Sequence, residues 1–172
     1  SSMGNNYSKC INSEKNIIYS FPCYKNLIIF NYHNINEIEI KGSKYLDNFP
    51  PKPFNIDSAD NKYAYLYRID KPHYVSLIYD PYRNRYYRIV AHAQQLYDSN
   101  GRQNEDDDRS HSIMIFDENF KIIGEQEFEK GEYNFFYTFV TKKGLLVALN
   151  TDDFEENISF QHFIISSHCC PK

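Results

Sequence analysis

The chain has 172 residues, 41% of them hydrophobic and 24% charged, with a formal net charge of −4 and a pI of about 5.8. That is enough apolar content for one ordinary domain with its own core, and too much for a disordered chain. No Lys/Arg stripe offers the basic face that a nucleic acid requires, no run of about 18 apolar residues would cross a membrane as a helix, and no signal segment is visible. Aromatic side chains are abundant, with 16 Tyr and 13 Phe but no Trp. Tyr and Phe suit pleated, half-buried surfaces, so the composition points to an all-β protein.

Residues 1–15 are polar and read as a loose N-terminal arm. Three strands follow, at Asn16–Phe21 before Pro22, Leu27–Phe30 before Asn31, and Ile35–Ile40, which alternates apolar and charged. They predict a first blade over 16–41, its innermost strand missing or supplied by the arm. Residues 42–73 form a connector rich in proline (Pro50, Pro51, Pro53), ending in an additional strand at Tyr63–Ile69. The clearest unit spans 74–128: Val75–Asp80, Arg85–Val90, Ser112–Asp117 and Lys121–Glu125, joined by turns at Asp80–Asn84 and Asp117–Asn119. Asp and Asn at such turns satisfy backbone amides with their own side chains. A long polar insertion, Gln94–Arg109, separates the second and third of these strands. A third unit over 135–165 holds Phe135–Val140, Leu145–Leu149 and Ile158–Ile165, without a fourth strand, before a tail at 167–172. Four short strands in a meander cannot bury both faces alone and must stack on similar units. Residues 16–166 are therefore predicted to form about three antiparallel propeller-like blades, as a partial propeller or open arc, with little helix.

Two stretches carry a family resemblance. Tyr79–Arg88 resembles a recurring hairpin of six-bladed β-propeller proteins of gut bacteria, and Ile115–Glu125 with Lys143–Leu146 is similar to their last blades. The likeness runs over roughly residues 16–165 and matches the C-terminal half of those proteins. These are mostly secreted or lipid-anchored proteins of no assigned reaction, so the resemblance implies a periplasmic or cell-surface location. It also implies a piece of about half the full length, whose unpaired sheet edges would invite association with another chain, including a homodimer.

Cys10 and Cys23 flank the first strand and could bridge, whereas Cys169 and Cys170 read as exposed thiols of the tail. Arg83, Arg85 and Arg88 read as a solvated turn whose guanidinium groups stack on aromatic rings. The acidic insertion Asp98–Asp108 has oxygen donors of the kind Ca²⁺ takes, although Gly101 comes too early for an EF-hand. His92 and His111 bracket it, and with Asp106 and Asp108 they make up a candidate metal set for zinc or calcium. The plainer alternative for the same residues is a mobile acidic loop between two strand-end histidines.

Carboxylates occur at Asp80, Asp117, Glu125, Glu127, Asp152 and Asp153, mostly at turns, with Glu125 and Glu127 sharing one strand face, predicted to be the wet one. Nothing sets one of them apart as acid or base. No nucleophile elbow and no phosphate-binding glycine loop occurs, so no catalytic or cofactor-binding residue is assigned. The tyrosines at 63, 65, 67, 74, 82, 86 and 87 would pack mostly between blades. The expected function is a non-catalytic binding or scaffold module at the bacterial cell envelope, its ligand unknown but glycan or peptide in kind. The alternative is a metal-assisted or glycan-active hydrolase with its site at the blade loops.

Overall fold

The computed structural model describes residues 7–46, 66, 68–151 and 157–164. Among them, eleven strands form three antiparallel sheets. Sheet one runs β1 (Ser8–Ile11), β2 (Ile17–Ser20), β3 (Leu27–Phe30), β4 (Ile35–Ile38). Sheet two runs β5 (His73–Asp80), β6 (Arg85–Ala91), β7 (His111–Phe116), β8 (Ile122–Phe128). Sheet three holds β9 (Tyr133–Val140), β10 (Leu145–Leu149) and β11 (Phe160–Phe163), with β10 central. No sheet closes into a barrel, and the sheets stack face to face as an open, propeller-like arc.

Sheet two is the filling of this stack. Tyr86, Val90, Met114 and Phe116 pack against Ile18, Leu27 and Ile29 of sheet one. From the opposite face Tyr87, Ile89 and Ile113 pack against Phe135, Leu145 and Val147 of sheet three. A sheet covered on both sides needs apolar residues at successive positions, and β6 is accordingly buried from Tyr86 to Ala91.

The innermost strand of the first blade comes from the predicted arm, as β1 pairing with β2. The expected strand at 63–69 is corrected in part. Leu66 and Arg68–Asp70 are helical, and residues 63–65 and 67 lie outside the described residues. Leu66 and Ile69 repeat at helical spacing, and Ile69 ends fully buried. The Cys10–Cys23 bridge does not form: both thiols are free, Cys10 packed beside the first core and Cys23 exposed. Burial pushes the Cys10 thiol up to about 12, which makes it inert as a nucleophile.

The tight turns share one design. Each opens with Asn12, Asn31, Asp80, Asp117 or Thr141, whose side-chain oxygen accepts two backbone N–H groups from the turn that follows. Lys15, Asn84 and Phe120 take the left-handed conformation that returns the chain to the next strand. At Phe120 the ring stacks on Tyr86, 4.5 Å between centroids, and this contact offsets the cost of that backbone in a bulky residue. The Gly144 position has a different demand. A Cβ there would sit 2.1 Å from the Phe163 carbonyl oxygen.

Arginines tie the layers together. Arg88, expected in a solvated turn, is fully buried. It does stack as expected, with its guanidinium 3.3 Å from the Tyr74 ring centre. It donates to Ser20 Oγ (2.9 Å) and to the carbonyls of Tyr24 (2.7 Å), Lys25 and Phe21, all in sheet one or its β2–β3 turn. Burial lowers its pKa to about 9, and at neutral pH it stays a cation. Arg83 performs the matching task toward sheet three, donating to the carbonyls of Thr141 (3.2 Å) and Lys142 (2.8 Å) while held by Asp80 at 2.7 Å. Asp80 is itself fully buried and also accepts from the Tyr87 hydroxyl at 2.8 Å.

Replacing Arg88 by Met should lower the unfolding free energy by about 3 kcal/mol, because several turn carbonyls would lose their charged donor. Arg88→Lys should recover only part of this, since an ammonium cannot fan out to the same acceptors. Urea unfolding measures both, and a Met variant as stable as the parent would contradict the assignment. Gly144→Ala should destabilise the chain by about 2 kcal/mol through the forced displacement of β11, visible as a lower melting temperature.

Candidate functional site

In antiparallel meanders successive connections alternate between the two ends of a sheet. All the tight turns described above fall at one end. The connections that follow β2, β4, β6, β8 and β10 leave from the other, so the described parts of the irregular chain at 21–26, 39–46, 68–72, 92–110 and 129–132 lie on one rim. Backbone bonds hold these connections in place: Tyr74 N of β5 donates to Pro22 O (3.0 Å), His92 N closes its own connection on Ser110 O (3.0 Å), and Asn150 N donates to Glu132 O (3.0 Å) across two connections.

The 92–110 connection folds on itself through its own side chains and backbone. Asp98 accepts from the amides of Asn100 and Arg102, Gly101 supplies a positive φ, and Tyr97 pairs with Gln103. Arg102 grips both carboxylate oxygens of Asp108 (2.9 and 2.7 Å), which also accepts from the Glu105 amide across a 3-10 turn at Asp106–Asp108. That pairing holds the Asp108 carboxyl below its usual range. Arg109, its side chain wholly buried, donates to the carbonyls of Arg68 (3.0 Å), Ile69, Lys71 (3.4 Å) and His92 (3.3 Å). Asp106 lies 3.5 Å from it and also binds Arg68. One guanidinium thus gathers the end of the helical segment, the end of β6 and the start of β5.

His92 and His111 do sit at the base of this connection, but on opposite faces of sheet two. Ala91 pairs with His111, so His92, one residue on, projects the other way. His92 stacks on Tyr45 (4.7 Å between centroids) with Nδ1 3.7 Å from Glu127, while His111 packs against Phe135 on the sheet-three side (4.7 Å). His92, His111, Asp106 and Asp108 therefore hold separate contacts. Among the described residues no group of three or more His, Cys, Asp and Glu is placed to share a metal ion.

Glu125 and Glu127 share a face, as the alternation predicts, but Glu125 is not simply wet. It accepts from Ser43 Oγ, from the Lys44 amide (3.1 Å) and from Ser112 Oγ (3.1 Å). These contacts seat residues 43–45 against sheet two. Asp117 serves its own turn, and Asp152 and Asp153 lie outside the described residues, as do Cys169, Cys170 and the tyrosines at 63, 65 and 67. Tyr74, Tyr86 and Tyr87 pack between sheets as expected, and Tyr82 is exposed.

The rim holds one further feature that no sequence motif announces. Arg68, Glu105, Asp106, Asp107, Asn134 and Phe136 line an open cleft of about 210 Å³ between the 92–110 connection and β9. Phe136 is 64% exposed. Burial first, then the carboxylates of Asp106, Glu105 and Asp108, raise the Asp107 pKa. The cleft thus offers acceptors, an aromatic face and one cation, which suits a polar ligand with donor groups. The only sequence signal for it was an aromatic pair, Phe135-Phe136, of which the pleat can bury just one member.

A meander of stacked sheets with a polar cleft on its loop rim defines an all-β, propeller-like class of protein. Within it, the chain belongs to the family described as a domain of unknown function, DUF4221, whose model matches residues 2–127. A crystal structure of a member of that family from Bacteroides vulgatus is similar in fold, with a TM-score of 0.76 at 24% sequence identity, over 95% of this chain and 47% of that one. The chain therefore spans about half the length of that relative. None of the curated proteins matches.

Two histidines on this rim make stability depend on acid. Burial, the leading cause in each, lowers the pKa of His73 to about 4 and of His111 to about 3, with the Arg109 cation adding to both shifts. Unfolded histidines titrate at about 6.5, so between these values the unfolded chain binds more protons. Their contribution is complete above pH ~6.5 and is lost as the pH falls toward the folded values. Urea midpoints should already decline between pH ~6.5 and ~5, where most carboxylates are still ionised. His111→Leu should flatten that decline, and a parent midpoint constant across this range would refute the assignment.

Proposed function

We propose that this chain is a non-catalytic binding or scaffold module of the bacterial cell envelope, taking a glycan or peptide at the cleft between the 92–110 connection and β9. The observation that carries this is the segregation of the connections. The turn end is closed by short self-bonded loops, whereas the other rim gathers the acceptors of Glu105 and Asp107, the amide of Asn134 and the bare ring of Phe136 around open space. Function in such folds lies in loops grafted on a rigid scaffold. The envelope location rests on the resemblance to secreted and lipid-anchored propeller proteins. The six-bladed form of those proteins fits a chain spanning about half the length of its solved relative.

The test is a glycan and peptide panel followed by calorimetric titration. A ligand of this site should bind about tenfold more weakly to Phe136→Ala, the loss expected for one stacking contact, and more weakly also to Asp107→Asn. Binding indifferent to both substitutions would move the site elsewhere, and silence across the panel would defeat the ligand class. Release of product from a panel member would turn the assignment toward a hydrolase.

A further inference from the structure

Phe136 stands out from sheet three because β9 bulges. Val147 of β10 pairs with Thr138, but the next residue, Ala148, pairs with Asn134, so 135–137 have no partners in that ladder. Two side chains hold the bulge: Asn134 Oδ1 accepts from the Phe136 amide (3.2 Å), and Thr138 Oγ1 donates to the Phe135 carbonyl (2.9 Å). A bulge re-aims the residues it contains. Here Phe135 turns into the second core, and Phe136 is left bare on one wall of the rim cleft.

The facing wall brings Glu105, Asp106 and Asp107 from the 92–110 connection. Their charges are not equally compensated. Asp106 binds Arg68 and lies 3.5 Å from Arg109, while Arg102 is committed to Asp108. Glu105 and Asp107 are both exposed, and neither forms an ion pair among the described residues. The charges acting on Asp107 are those of Asp106, Glu105 and Asp108, all carboxylates, and Asn150 is its hydrogen-bond donor. The face of an aromatic ring attracts a cation. Two uncompensated carboxylates beside the ring add to that attraction and repel an anion. A neutral sugar would find acceptors here but would leave both charges unpaired.

We propose that this cleft takes the side-chain cation of a basic peptide, a lysine ammonium or arginine guanidinium lying on the Phe136 ring between Glu105 and Asp107. The inference rests on the cleft being the binding site and adds the chemistry of its ligand. A peptide is favoured over an amino sugar by β9 itself, which ends sheet three with β10 as its one strand partner among the described residues. An extended chain docks along such an edge through its backbone, and its side chains enter the adjoining pocket. The cleft, at about 210 Å³, is smaller than the roughly 300 Å³ at which pockets for drug-sized ligands begin. That is room for one long side chain.

Calorimetric titration at low salt should use end-blocked heptapeptides identical but for a central lysine, Nε-acetyl-lysine or glutamate, with chitotetraose and its deacetylated counterpart alongside. The lysine peptide should bind, acetylation should weaken it about tenfold or more, and the glutamate peptide should not bind. Raising the salt from about 20 to about 300 mM should weaken the lysine peptide severalfold. Asp107→Lys should invert the preference, glutamate peptide over lysine peptide, which mere loss of structure would not do. Near-ultraviolet circular dichroism checks its fold, and Glu105→Lys takes its place should it not fold. An acetylated peptide bound as well as the charged one, a preference unchanged by the charge reversal, or silence from every probe would overturn the proposal. Deacetylated chitotetraose binding where the lysine peptide does not would overturn the peptide and assign an amine-bearing glycan. The two readings fail separately. A neutral ligand whose binding falls in Phe136→Ala would keep the cleft and refute the cation, whereas lysine-peptide binding untouched by Phe136→Ala would place the site elsewhere and refute both.

Discussion

The structure depends on guanidinium groups, two buried and one partly buried, that collect backbone carbonyls. A layer architecture of short strands has a standing difficulty: the turns and connections between strands leave carbonyl oxygens without ladder partners, and stacking the sheets removes water from some of them. Arg88 answers this toward sheet one, Arg83 toward sheet three and Arg109 on the loop rim. A guanidinium has five donors in a fixed plane and can serve several carbonyls at once while its face rests on a ring, as Arg88 does on Tyr74. The apolar cores supply most of the driving force for stacking, but they are non-directional. The arginines set how each sheet sits on the next, because their acceptors belong to particular turns.

This arrangement also divides the molecule into two ends with different physical character. At the turn end, the opening residue of each tight turn accepts two of the local amides. At the loop end the connections are too long for that economy. They are tied instead by Arg109, by Glu125 on residues 43 and 44, and by the Arg102–Asp108 pair. What remains unspent there is a cleft with acceptors and an exposed ring. The histidines illustrate how little of the charged chemistry on this rim is free. His111 sits among apolar rings and the Arg109 cation, and His92 is sandwiched between Tyr45 and Glu127.

Much of the fold was legible because turn chemistry and strand alternation are local. Asp80 and Asp117 announced their turns, Ile35–Ile38 announced a strand, and the meander of short strands implied stacking. Other features were legible only in outline. Arg88 lies inside the run Tyr86–Val90, a charge in an otherwise buried strand, and that context was the better guide to its burial than its neighbours Arg83 and Arg85. Leu66 and Ile69 carried a helical spacing that the alternating tyrosines obscured. The pairing of His92 with His111 failed for a reason of parity: a one-residue offset across the β6–β7 ladder sends the two rings to opposite faces, and only the register reveals it.

Local interactions are encoded residue by residue, so the chain by itself determined that it would be all-β, where its turns would fall and that its sheets would need to stack. Which carbonyls each arginine would gather, which faces the histidines would take and where open space would be left depend on contacts between residues up to 68 positions apart, as for Arg88 and Ser20. Those follow from how the sheets settle on one another. The tertiary structure alone decided them, because burial and charge pairing are properties of neighbours in space rather than in sequence.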